Sequence, residues 1–537
     1  SDLSDPHQMK DMDRLVEILA QKIRKQVHIR IIGDYDVDGV TSSHLFLTAL
    51  RRVGAKVDVV IPHRIQDGYG LSLHLLQQAK EDGVDTILTC DNGIAAIDEI
   101  AWAKAQKMTV LVTDHHAVPF EEHEGRRTEK KSLADAVVNP HQQDCGYPYK
   151  ELCGAGVAWN VIRVLYENYD MDKREAEDLL DFVAMATVCD VMSLTGENRI
   201  LVKEGLKRIR HTKNIGLQAL MQACNVQPEN ISAYHFGYVL GPCVNATGRL
   251  DTARHALRLF ETGQETEAEE IARDLVDLNQ ERKELTLQGV EMAKKLCEEG
   301  GYENDPVLVL FLPDVHESIA GLIAGRIREM YNRPVFVLTR GEEGVKGSGR
   351  STENYSMYEN MCGCAELFTK FGGHPMAAGL SLPEENVEKF RRKINENCPL
   401  TVEEVCPDIH IDMAMPVGYA STELVHQFAL LEPFGKDNPS PLFADRNLSI
   451  SRMWLIGKNR NVLRMSVLSE YGQPVPVIFF GDVETLFAYF TEKFGQEEVE
   501  NALHGRKNRI LFSMVYTAKI DFYQGNENLQ LEMKYYR

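Results

Sequence analysis

Val27-His28-Ile29-Arg30-Ile31-Ile32-Gly33-Asp34-Tyr35-Asp36-Val37-Asp38-Gly39 is the stretch on which the fold turns. Its apolar, β-branched first half reads as a strand that stops at glycine. A helical period from Gly39 to Val53, closed by Gly54, follows at once. Outward from this stretch the alternation repeats. Val57 to Ile61, Thr86 to Cys90, Thr109 to Thr113 and Ala134 to Val138 read as strands, and Leu71 to Glu81 and Ile94 to Lys107 as helices. Strands and helices alternating at these lengths imply βαβ units and a parallel sheet covered on both faces. Residues 121–133 read as a charged surface loop.

Ligands of open parallel sheets bind in the crevice at the carboxyl ends of the strands. The first strand runs into Asp34, Asp36 and Asp38, the third into Asp91-Asn92-Gly93 and the fourth into Asp114-His115-His116. Asp190, after the apolar run from Phe182 to Val188, supplies a further carboxylate. A lone aspartate at a strand end is ordinarily a turn or cap residue. Three such coincidences on one edge ask for another cause. Carboxylates crowded into one crevice repel one another unless cations sit between them, and oxygen-rich sites with one or two imidazoles suit Mn²⁺ or Mg²⁺. Two such ions about 4 Å apart would clamp a phosphate and activate a water.

Further along, residues 150–290 read mainly as helices, and Glu265 to about Glu299 as one long exposed helix bridging two globular parts, ended by Gly300 and Gly301. A second α/β segment follows: a strand (Pro306 to Leu312), a helix (Ile319 to Tyr331), a strand (Pro334 to Leu338) and the glycine-rich stretch Phe371 to Leu380. From about Ile409, short alternating runs predict a small antiparallel β-barrel, with helical Val483 to Leu503 inserted in it.

Several domains are expected, because one core rarely serves 537 residues. Hydrophobic residues make up 44% of the chain, yet no run approaches the roughly 18 apolar residues that a membrane span needs. The polar start carries no signal peptide and no initiator Met, so a trimmed natural N-terminus is expected. Eleven cysteines without a disulfide framework fit a reducing cytoplasm, and Cys362 and Cys364 read as a turn with two small buried residues. A net charge of −21 argues against nonspecific coating of nucleic acid while leaving room for a local basic track.

With its upstream Asp-Tyr-Asp-Val-Asp-Gly and Asp-Asn-Gly, the Asp-His-His at 114–116 resembles the DHH phosphoesterase superfamily, and more narrowly the RecJ-type single-strand-specific exonucleases. Asn245-Ala246-Thr247-Gly248-Arg249, Leu278-Asn279 with Glu281-Arg282, Gly349-Arg350-Ser351, the segment Gly372 to Gly379, and Pro433-Phe434-Gly435 with Asn438-Pro439 resemble RecJ signatures too. The resemblance covers nearly the whole chain. It implies a DHH catalytic domain over 1–200, a helical connector over 201–300, a DHH-associated substrate-binding domain over 301–402 and an oligonucleotide-binding (OB) barrel over 403–537. Asp36, Asp38, Asp91, His115 and Asp190 would hold two Mn²⁺ or Mg²⁺ ions, with Asp34 and Asp114 as further ligands or groups that orient them. His116 would face the scissile phosphate.

The resemblance also makes Arg249 a grip on a backbone phosphate, where the residue alone reads as a surface arginine. Gly373 and His374 with Arg350 and Ser351 would form a phosphate site, glycines letting the backbone approach an anion; Asn245 would contact substrate. His316 reads equally as a substrate contact and as a cap. Lys207, Arg208, Arg210, Lys213, Arg326, Arg328, Lys458 and Arg460 are candidates for a basic track, most of them solvated helix faces. Trp454 and Phe480 could stack on bases, but core packing is the favoured role for each.

The implied activity is 5′-to-3′ exonuclease action on single-stranded DNA, releasing mononucleotides in repair and recombination. Its partners would be single-stranded DNA, a single-strand-binding protein and a recombination helicase, with the enzyme a cytoplasmic monomer. Two alternatives stand beside it. One is a relative acting on oligoribonucleotides, cyclic dinucleotides or nucleotide phosphates; the other is an inactive replication scaffold.

Overall fold

The computed structural model describes residues 3–63, 67, 70–123, 126–250, 252–302, 304–341, 344–400, 409–457, 460–523 and 526–537. Lys458 lies outside them, as does the expected domain boundary at 402–403. Two compact units are present, Ser1–Pro407 and Asp408–Arg537. No helix among the described residues is long and apolar enough to cross a membrane.

In the first unit, β1 (Ile29–Ile32), β2 (Val57–Val60), β3 (Thr86–Cys90), β4 (Thr109–Thr113) and β7 (Ala136–Val138) form a wholly parallel sheet in the order β2-β1-β3-β4-β7. Alternate side chains serve two cores, as the period of two requires. Ile29, Ile31, Leu88 and Leu111 enter the larger core, shared with helices Met12–Arg24, Val37–Arg52 and Gly154–Asn168. Ile32, Ile87, Val110 and Val112 enter the smaller, under helices Leu73–Glu81 and Ile97–Ala105. The expected charged loop contains a two-stranded hairpin, β5 (Phe120–His123) with β6 (Arg126–Glu129).

Helix Glu265–Glu299, 35 residues and about 52 Å long at 1.5 Å per residue, ends at the expected glycines. Contrary to the exposed bridge read from sequence, it is packed at both ends. Ala268, Ile271, Ala272 and Leu275 belong to the first core. Val290, Ala293 and Cys297 belong to the core beneath a second sheet. Its buried residues keep to one stripe at spacings of three and four, so the same face serves a different core at each end.

That second sheet comprises β8 (Leu308–Phe311), β9 (Val335–Gly341), β10 (Gly344–Arg350), β11 (Lys370–His374) and β12 (Ala377–Leu382), in the order β11-β12-β10-β9-β8. Only β8 and β9 pair in parallel. The glycine-rich stretch is therefore the β11–β12 hairpin. Of Cys362 and Cys364, only the second is buried.

The second unit is strand-rich: β13 (Met413–Ala414), β14 (Phe443–Ile456), β15 (Val462–Leu468), β16 (Pro474–Phe479), β17 (Leu511–Tyr523) and β18 (Asn526–Tyr536). β17 pairs with β18 on one side and with β14 on the other, which brings the ends of the series together. The expected antiparallel pattern is broken where β16 meets β18 in parallel. The inserted helical segment is two helices, Val483–Phe494 and Gln496–Leu503, separated at Gly495 with φ +95°. Phe480 is 55% exposed and Trp454 half-buried, so the core role does not hold for Phe480.

Helix Leu180–Cys189, which ends at Asp190, carries a buried acid of its own. Asp181 accepts hydrogen bonds from Thr212 Oγ1 (2.6 Å) and Phe182 N (2.8 Å), and burial pushes its carboxyl up to about 6. A folded-state value above the ordinary one means stability gained as pH falls from about 6 towards 4 and lost again as pH rises through 6. Asp181→Asn should therefore flatten the pH dependence of stability and raise the stability at pH 7–8, by roughly 2–3 kcal/mol at most, with a higher melting temperature there. Calorimetric melts of both proteins from pH 4 to 8 measure it; equal slopes between pH 4 and 6 would refute it.

Candidate metal centre and facing cleft

Asp34 leaves the end of β1 fully buried, and its Oδ1 has no hydrogen-bond partner. Asp36 caps helix Val37–Arg52, its Oδ1 accepting from Gly39 N at 3.0 Å. Asp38 turns inward to the first turn of helix Gly154–Asn168, where Gly154 N (2.6 Å) and Ala155 N (2.8 Å) donate to its two oxygens, a natural seat for an anion. A Cβ on Gly154 would lie 2.7 Å from Asp91 Cβ and 3.0 Å from Asp38 Oδ2, so only glycine fits. Asp91 follows β3 in the left-handed region, φ +61°. Beside it, Asn92 Nδ2 donates to the carbonyls of Ile32 (3.0 Å) and Cys90 (2.9 Å), tying the ends of β1 and β3 together.

His115 Nε2 is the hub of the site. It lies 3.0 Å from Asp91 Oδ1, 3.5 Å from Asp38 Oδ2 and 3.6 Å from Asp190 Oδ2. Asp190 reaches it from the C-terminal cap of a helix rather than from a strand end. Potential ligand atoms fall into three overlapping groups, each within 4.8 Å: Asp34, Asp36 and Asp91; Asp38, His115 and Asp190; Asp91, His115 and His116. Asp91 and His115 each belong to two groups, so the groups adjoin one another.

Burial raises the carboxyls of Asp34, Asp36 and Asp91, and neighbouring carboxylates raise them further. Burial also holds His115 low, which favours the neutral imidazole that a metal takes. Oxygen-rich donors disfavoured in ionised form until a cation arrives fit Mn²⁺ or Mg²⁺.

Asp114 differs from the others. Its Oδ1 accepts from His115 N (2.7 Å), His116 N (3.1 Å) and His116 Nδ1 (2.8 Å), and its Oδ2 from Ile94 N (2.9 Å). Despite burial, these bonds hold its carboxyl below the usual range. Burial would lower His116, but the Asp114 hydrogen bond and surrounding carboxylates lift it to about 9.

Beside this centre lies a cleft of about 560 Å³, walled by Tyr35 and Arg249 on one side and by residues of the second sheet, including Lys346, Arg350 and Lys370, on the other. Arg249 Nη1 donates across it to Ser318 O at 2.6 Å. Arg350 Nη1 donates to Gly349 O (2.7 Å) and Ser348 Oγ (3.3 Å). Gly372 and Gly379 line the cleft; Gly373, with φ +154° and Ala377 O 2.5 Å from where a Cβ would stand, makes the hairpin possible. His374 is exposed at the hairpin's end.

Three residues expected at substrate serve the framework here. Ser351 is buried, its Oγ donating to Tyr355 O at 2.5 Å. Asn245 Oδ1 accepts from Val37 N at 3.1 Å, fastening the acidic loop to helix Gly241–Leu250. His316 caps a short helix, its Nδ1 2.7 Å from Ser318 Oγ and accepting from Ser318 N at 3.3 Å. The basic residues of the expected track are largely ion-paired, Lys207 with Glu204, Arg208 with Glu177, and Arg326 and Arg328 with Glu329. Sequence reading passed over Gly154, Asn92 and Lys346. Only Asn92 had left a signal, its place after Asp91.

Three family models match: the DHH family N-terminal domain over residues 28–187, the DHHA1 domain over 304–398 and the RecJ OB domain over 411–535. A parallel sheet with this acidic edge, facing a DHHA1 domain, places the protein among the DHH phosphoesterases. The single-stranded-DNA-specific exonuclease RecJ of Haemophilus influenzae is 33% identical over 99% of this chain and 91% of its own length. That of Bacillus subtilis is 33% identical over 88% of this chain, which spans 59% of that relative. The crystal structure of RecJ in complex with Mn²⁺ from Thermus thermophilus superposes with a TM-score of 0.79, at 26% identity, over 98% of this chain and 72% of that one. The chain belongs to the RecJ family.

With both Asp114 oxygens committed to N–H donors, Asp114→Asn should keep Mn²⁺ binding, weakened about 10- to 100-fold, whereas Asp91→Ala should abolish it. Isothermal titration with Mn²⁺ separates the two; total loss in Asp114→Asn would make that residue a ligand.

Proposed function

We propose that this protein hydrolyses single-stranded DNA from the 5′ end, releasing mononucleotides, with two Mn²⁺ or Mg²⁺ ions as its cofactor. One observation carries the reading: three overlapping carboxylate–imidazole groups stand beside a cleft walled by Arg249, Lys346, Arg350 and Lys370. When bound, the ions supply Lewis-acid stabilisation of phosphate charge and acidify a water. Asp34, Asp36 and Asp91 would hold one ion, and Asp38, His115 and Asp190 the other. Asp114 fixes both histidines, and His116, protonated through that contact, offers its charge to the phosphate. Arg249 and Arg350 present guanidinium groups to the strand's backbone phosphates. His374 meets the strand at the hairpin's end, while Gly373, Ser351, Asn245 and His316 shape the surfaces behind these contacts.

The 5′ polarity rests on the family resemblance. So do action in the cytoplasm as a monomer, in repair and recombination, and cooperation with a single-strand-binding protein and a helicase. The division into 1–200, 201–300, 301–402 and 403–537 is our assignment of catalytic, connecting, substrate-binding and OB roles. The OB domain favours a polymeric substrate over the small ones of the nucleotide-hydrolysing alternative. The intact set of ligand residues speaks against an inactive scaffold.

Digestion of 5′- and 3′-labelled single strands with Mn²⁺, and with EDTA, tests chemistry, polarity and metal dependence together. We expect early release of 5′ label, none in EDTA, and loss of hydrolysis in folded Asp36→Ala and His115→Ala. Preference for dinucleotides would favour the small-substrate alternative, and absence of Mn²⁺ binding the scaffold.

A further inference from the structure

Residues 233–250 form a helical segment interrupted by a π turn over Phe236–Leu240, where Gly241 N donates to Phe236 O. Such turns re-aim the side chains beside them. Tyr234 and Tyr238 are 62% and 71% exposed, and their rings stack on each other at 5.1 Å with 24° between planes. Neither ring is used by a core. Two large aromatic rings left in water in this way are a cost unless something covers them.

What covers them follows from where the segment leads. Tyr238, Pro242, Asn245 and Arg249 recur at spacings of four, three and four, so they share one helical face. Asn245 on that face bonds the acidic loop, and Arg249 lines the basic cleft. On the adjoining side, Cys189 Sγ donates to Phe236 O at 3.3 Å, beside Asp190 of the metal centre, and Val191, next in the chain, is 61% exposed. The aromatic pair thus stands on the same helical face as Arg249, which lines the cleft. From Tyr238 to Arg249 the helix rises about 16 Å, the length of about five stacked nucleotides.

We infer that Tyr234 and Tyr238 form a stacking platform for nucleobases of the strand whose backbone Arg249 holds. This rests on the reading of the protein as a single-strand nuclease and extends it to a base-binding subsite. Bases suit the platform because every base offers a π face whatever its sequence. The rings carry no charge with which to read a phosphate, so the platform holds the strand without choosing among sequences.

The test uses the full chain with Y234A/Y238A, and Y234F/Y238F as its conservative partner. Anisotropy in EDTA measures binding of a labelled oligodeoxynucleotide; steady-state digestion with Mn²⁺ gives kcat and KM. We expect the alanine pair to weaken binding and raise KM about tenfold, leaving kcat and metal affinity unchanged, with the phenylalanine pair close to wild type. On a strand made abasic over the nucleotides that reach the platform, wild type and alanine pair should bind alike. If wild type digests the normal strand but the alanine pair binds it equally well, the platform is wrong and the nuclease reading stands; the pair would then be a surface for another protein. A deficit that persists on the abasic strand overturns it as well. If wild type neither binds nor cuts single strands, the nuclease reading falls and the platform with it.

Discussion

Carboxylates packed at the carboxyl edge of a parallel sheet repel one another, and in this protein Asp34, Asp36, Asp38, Asp91 and Asp190 all meet there around His115. Burial strengthens the repulsion by removing the water that would screen it. A site of this kind is stable as a cation receptacle, and the neighbouring residues show how the chain bears the cost before a cation arrives. The amide dipoles of helix Gly154–Asn168 absorb the charge of Asp38. Four N–H donors absorb that of Asp114. What is left uncompensated is the inward-facing oxygen set, where the positive charge belongs.

Position matters as much as charge. Gly248 is held against the acidic loop so tightly that a Cβ would stand 2.4 Å from Tyr35 O, and Gly39 would likewise meet the backbone of Asp34. These glycines serve close approach, in contrast to Asp91, whose left-handed backbone turns its carboxylate back over the sheet edge. The cross-tie from Asn92 to Ile32 and Cys90 fixes the spacing of the two strands that carry most of the acids.

Much of this was legible in the sequence because buried parallel strands are written as uninterrupted β-branched runs, and the acids follow those runs directly. Asp190 was legible only as an acid after an apolar run; that the run is a helix ending at the site depends on tertiary packing. Asp114 was left open between ligand and orienting group because a sequence cannot say which carboxylates are already saturated by N–H donors. The same blindness hid the hydrogen bonds by which Ser351 and Asn245 also hold the framework. Phe480 looked like core for the opposite reason: an aromatic in an alternating run says nothing of whether its face of the barrel is covered.

The long helix was read as an exposed bridge, yet burial of one face in two successive cores gives it a stronger role. A spacer would let the two sheets drift, whereas a single helix contributing Leu275 to one core and Val290 to the other makes their separation part of the packing. Midway along it, Asn279 Nδ2 donates to Cys243 Sγ at 3.4 Å, and Cys243 lies on the same short helix as Asn245 and Arg249. Arg249 then reaches Ser318 O across the cleft. The acidic loop, Arg249 and the second sheet are therefore braced against one rod. A cleft braced in this way holds the two walls that carry Arg249 and Arg350 in register beside the acidic edge.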